Sequence, residues 1–176
     1  TVRANLDPET LHQDYDLWNV LRRVQLDDVI ADFPLKLSMP LEYGVEGGGM
    51  FTAGQLRLLC VAQALLRNSR VLIIEESDER VDVEAENIFQ KTIRTQFIDT
   101  TIICLTPHIR SIIDYDRVAV IEKGVLVECD NPATLLADKA SNFYGLCEMS
   151  GEFERLKMLA GHKEYVMEEV RASSCF

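Results

Sequence analysis

Apolar positions in the first third of the chain recur at helical spacing. Leu11, Leu17, Trp18, Leu21 and Val24 form one such stripe, and Leu56, Leu59, Ala62, Leu65 and Leu66 form a second. Asp7-Pro8-Glu9 has the chemistry of a helix start, with Asp to cap, Pro for the first turn and Glu for the positive end. The pattern therefore predicts a helix running to about Val24. Leu26 to Phe33 predicts a shorter helix closed by Pro34, and residues 35–50, with Pro40 and four glycines, read as irregular. Thr52 stands where it would cap the next helix. Val71 to Ile74 is an unbroken apolar run, as expected of a strand covered on both faces.

Beyond that strand, helix and strand alternate. The pattern predicts a helix over Val83 to Gln96, a buried strand over Thr101 to Leu105 and a helical turn near Ile109 to Ile113. Arg117 to Glu122, Lys123-Gly124 and Val125 to Cys129 read as a β-hairpin. Asn131-Pro132 opens a helix through Leu136, and the tail from Asn142 to about Ala160 reads as helical. The order predicts an α/β fold, a mixed sheet with helices packed on it. No internal repeat interrupts it.

Composition narrows the function classes. The chain has 176 residues and is 47% hydrophobic, enough for one domain or the larger part of one. Its net charge of −11 argues against nucleic acid and against adhesion to anionic lipid. No apolar run approaches the ~20 residues of a membrane helix, so direct membrane insertion is not expected. Cys60, Cys104, Cys129, Cys147 and Cys175 form no CxxC pair and share no metal-ligand spacing with a His, which implies reduced thiols. The chain begins at Thr1 without an initiator Met, and we read it as part of something longer. His12 and His162 stand alone and suggest no role.

The densest chemistry lies between Gly47 and Glu76. GGGMFTAGQLRLLCVAQALLR is a glycine-rich turn opening a helix, and VLIIEE is a strand ending on Glu75 and Glu76. A helix start offers free amides and a positive dipole end to anionic oxygens, and adjacent carboxylates suit a divalent metal and an attacking water. Alone, the turn would be an ordinary capped helix and the acids merely solvated. Together they resemble the signature and Walker B segments of ATP-binding-cassette (ABC) ATPases.

The resemblance extends over nearly the whole chain through TVRANLDP, VLRRVQLDDVI, VDVEAENIFQKTIRTQF, IIDYDRVAVIEKGVLVECDNPATLL and NFYGLC. It is closest to the C-terminal part of the second nucleotide-binding domain of an ABC transporter of the subfamily C, multidrug-resistance-associated type. It implies part of a P-loop NTPase-like fold in three stretches. Residues 1–49 would belong to a helical subdomain, 50–140 to the signature, Walker B and switch core, and 141–176 to a helical tail. It also implies ATP and Mg2+ as ligands. The implied partners are a second nucleotide-binding domain and the transmembrane domains of the same transporter, at the cytoplasmic face of a membrane. Phe51, Thr52, Ala53, Gly54 and Gln55 match the signature, Glu75 the magnesium acid, Glu76 the catalytic acid, and Asp82 the loop crossing the dimer interface. The family's phosphate-gripping loop has no counterpart among these residues.

Five departures from the family pattern matter. Leu56 replaces the basic residue after the signature Gln, and Gln63 replaces an Arg on the same helix. Glu75 stands at an Asp position, and its extra methylene strains an octahedral magnesium site. Ser77-Asp78-Glu79-Arg80 puts charge where the family has small and hydroxyl residues. In unbroken register the switch His position is Pro107, which donates no hydrogen bond, and His108 falls one place later. The resemblance thus implies an ATP-hydrolysing portion of an exporter. Its alternatives are a degenerate, non-catalytic partner domain or a truncated segment with no function of its own.

Overall fold

The computed structural model describes residues 1–41, 51–76 and 83–161. The chain divides into two compact units, one of residues 1–74 with 78–103 and one of residues 75–77 with 104–176. Each is described by itself.

The first unit is mainly helical: α1 (Val2–Leu6), α2 (Asp14–Arg23), α3 (Asp27–Ala31), a 3-10 turn at Lys36–Ser38, α4 (Ala53–Leu66) and α5 (Val83–Gln96). Helices α1, α2 and α5 pack on α4, and Leu6, Leu17, Leu21, Leu26, Ile30, Leu58 and Ile93 are fully buried. Side chains lock the packing: Gln63 Nε2 donates to the Asn5 carbonyl at 2.7 Å, and Arg23 Nε donates to Gln96 Oε1 at 2.7 Å. The Gln63 bond ties α4 to α1. The expected helix start at Asp7 is corrected. Asp7 closes α1, its carboxylate accepts the amides of Leu11 (3.1 Å) and His12 (2.8 Å), and Thr10 takes φ 54°. Burial pushes the Asp7 carboxyl up, but those amide bonds outweigh it and hold it below its usual value. With its acid spent on a turn, the chain begins α2 only at Asp14, behind a Gln13/Asp16 capping box.

Strands β1 (Val71–Glu75) and β2 (Thr101–Leu105) lie on the residues expected. Thr101 N–H bonds Arg70 O at 2.9 Å and Glu76 N–H bonds Leu105 O at 2.8 Å, so the strands run parallel. Their burial departs from expectation. Ile74 is buried, but Val71, Ile73, Ile103 and Leu105 are about half exposed or more. The unbroken apolar run hides a period-2 difference between faces, because successive side chains point to opposite sides. Among the described residues the strands form two separate two-stranded sheets, not the one mixed sheet expected.

The second sheet is the hairpin of β3 (Val118–Glu122) and β4 (Val125–Asp130), antiparallel with Val118 opposite Asp130. Lys123 at φ 49° and Gly124 at φ 81° make the left-handed two-residue turn that matches strand twist. Helices α6 (Ile109–Ile112), α7 (Pro132–Ala137), α8 (Asn142–Met149) and α9 (Phe153–Gly161) complete the second unit. Ile113, Val118, Leu135, Leu136, Phe143, Cys147 and Leu156 form its core, where burial pushes the Cys147 thiol up to about 11. The tail is helical as expected, but broken at Gly151, whose φ of 75° ends α8. Glu128 on β4 accepts the Ser141 hydroxyl (3.0 Å) and the amides of Asn142 (2.6 Å) and Phe143 (3.0 Å), capping α8 from another element.

Candidate functional site

In the first unit, the turn Phe51-Thr52-Ala53-Gly54-Gln55 opens α4 as a complete capping box. Gln55 N–H donates to Thr52 Oγ1 at 3.2 Å, and Thr52 N–H donates to Gln55 Oε1 at 2.9 Å. The box uses the amides of Thr52 and Gln55 and leaves those of Ala53 and Gly54 as the helix-start donors. Thr52 and Ala53 are exposed, while Phe51 is buried edge-on against Phe33, ring centroids 5.2 Å apart. Gly54 behind them is buried, so the aromatic anchor pins a turn exposed at Thr52 and Ala53, where the helix start faces solvent as an anion site would require. One turn further on, the Arg57 guanidinium lies 3.4 Å from the Phe89 ring centroid, and its Nη1 reaches Glu86 at 2.6 Å, joining α4 to α5.

In the second unit, the two acids take opposite faces. Glu75 is exposed, whereas Glu76 is 9% exposed. The Glu76 backbone is held by Leu105 O, and its side-chain Oε2 accepts the hydroxyl of Thr106. Thr106 Oγ1 in turn accepts the His108 N–H at 2.9 Å. His108 is the N-cap residue of α6, exposed, and makes no side-chain capping bond. Pro107 is exposed between them. Among the described residues no three acidic, His or Cys side chains gather as a metal cluster. Magnesium commonly takes only one or two protein carboxylates beside its phosphate and water ligands, so exposed Glu75 could reach such an ion, with the extra methylene working against ideal geometry. Asp82 and the charged 77–80 run lie outside the described residues, as do residues 47–50.

Thr106 escaped the sequence reading, although a hydroxyl two residues before His108 has the spacing of a Ser/Thr turn. Its bond to Glu76 spans thirty residues and had no local signal. Arg57 escaped for the same reason.

Comparison with known proteins fits the motif order. The chain is 40% identical over 154 residues to human ATP-binding cassette sub-family C member 4, covering 88% of this chain and 11% of that protein. It is 39% identical over 151 residues to rat ATP-binding cassette sub-family C member 3, covering 86% of the chain and 10% of the relative. The yeast metal resistance protein YCF1 is 38% identical over 152 residues, again 86% and 10%. The chain belongs to subfamily C of the ABC transporters. This subfamily C chain spans about a tenth of the length of the curated relatives it matches. No protein-family model matches it. Among its described residues no helix is long and apolar enough to cross a membrane.

Proposed function

We propose that the chain is the C-terminal part of the second nucleotide-binding domain of an ABC exporter, lying at the cytoplasmic face of a membrane. Its work would be to close on ATP with a partner nucleotide-binding domain and couple that closure to export through the transmembrane domains. The observation that carries this reading is the exposed, capping-boxed helix start at Thr52, followed at family spacing by a strand ending on exposed Glu75 and buried Glu76. In it, Ala53 and Gly54 amides meet the phosphates of the ATP held by the partner, beside Phe51, Thr52 and Gln55. Glu75 would hold magnesium, which when bound would offset phosphate charge. Glu76 would accept a proton from the attacking water and His108 would serve the terminal phosphate, while Asp82, outside the described residues, matches the family's interface loop in sequence.

The departures support slow turnover at this chain's own acid end. Pro107 offers no donor, exposed Glu75 carries an extra methylene, and residues 78–80 are charged. The degenerate, non-catalytic reading rests on the same three features. Glu76→Gln in the complete polypeptide decides between them. Turnover should fall by at least about 10², the usual worth of a positioned general base, with ATP retained at the site. An unchanged rate would mean that the site is silent and the domain only binds.

A further inference from the structure

The acid end of β1 holds a second device, carried by Thr106. A threonine hydroxyl has one proton and accepting lone pairs. Here Oγ1 accepts the His108 N–H at 2.9 Å, and its proton goes to Glu76 Oε2. The His108 carbonyl lies 3.5 Å from the same oxygen, too long to compete with the carboxylate. The residue before Thr106, Leu105, accepts the Glu76 N–H at 2.8 Å. Consecutive residues of one segment therefore hold Glu76 by backbone and by side chain. Pro107 has no N–H to offer, so the Thr106 hydroxyl supplies the side-chain tie within this turn.

From this geometry we propose that Thr106 is a positioning residue for Glu76, coupling the orientation of its carboxylate to the His108 turn. The proposal rests on the reading of Glu76 as the general base and extends it to a residue that touches no substrate. A general base must lie within hydrogen-bond reach of the proton it takes, and small misplacements are costly. A hydroxyl donated to the carboxylate restrains its rotation. It also carries any change at Glu76 to the His108 amide through one shared oxygen.

Two measurements test it. In the 176-residue chain, Glu76→Gln should shift the His108 amide resonance in a 15N-correlated NMR spectrum, and the shift should vanish in the isosteric Thr106→Val background. An equal shift in that background would overturn the coupling. In the complete polypeptide, Thr106→Val should lower kcat about tenfold with the KM for ATP unchanged, and Thr106→Ser should restore it. Turnover that needs Glu76 yet survives Thr106→Val unchanged would overturn the proposal alone. Absence of any Glu76-dependent turnover would overturn the reading of Glu76 as general base, and the proposal with it.

Discussion

The signature turn and the acid end of β1 are built in contrasting ways. The turn closes on itself: Thr52 and Gln55 exchange two hydrogen bonds across three residues, and Phe51 anchors it on Phe33. The acid end is assembled from afar, with Glu76 held by Leu105 and Thr106 about thirty residues on. The same long-range construction recurs in the second unit, where Glu128 caps a helix that starts fourteen residues later. A locally closed motif stands largely by its own sequence, whereas a remotely assembled one stands only while its unit is folded.

That contrast ranks the damage substitutions should cause. Phe143→Ala removes a fully buried ring from the core of the second unit and should cost about 3–5 kcal/mol in urea unfolding of the chain. Loss of less than about 1 kcal/mol would show that the remote contacts do not depend on that core.

Glu128→Gln should cost about 1–2 kcal/mol, since a carboxylate bound to two amides and a hydroxyl is replaced by a neutral amide. Burial raises the Glu128 carboxyl, but the Asn142 and Phe143 amides and the Ser141 hydroxyl outweigh it, leaving it below its ordinary value. The depressed value means that the folded state favours the ionised form. Its stabilisation is present above the ordinary glutamate value, about 4.3, and is lost as pH falls through the lower folded value. Stability measured from pH 6 downwards should fall more in the parent than in Glu128→Gln, and parallel curves would break the assignment.

Thr52→Ala is the smallest of the three, about 1 kcal/mol, because it removes one cap and leaves the Phe51 anchor in place. A cost above that of Glu128→Gln would invert the contrast between local and remote construction.

Legibility followed the same division. The α4 cap, the β1, α5 and β2 residues, the Lys123-Gly124 turn and the Asn131-Pro132 helix start were readable because each is specified by neighbours in sequence. Misreadings arose where a side chain had a competing use. Asp7 has capping chemistry but spends it on the amides of Leu11 and His12. Val71 and Ile73 look like core residues but face outwards, since hydrophobicity alone does not say which side of a strand is covered. Of the candidate site, residue types and order were visible, while the opposite faces of Glu75 and Glu76 and the tie from Thr106 were not. Nothing local in Thr106-Pro107-His108 points back to position 76.

On the proposed reading, the acid end of β1 turns ATP over slowly because of Glu75 and Pro107. In the complete polypeptide, Glu75→Asp combined with Pro107→His and His108→Arg tests it most directly by steady-state ATPase rate. Restoring one oriented donor and an unstrained metal acid should raise turnover by roughly 10². A parent already as fast as this triple variant would rule out slowed turnover, because Glu75 and Pro107 would then impose no penalty on the chemistry.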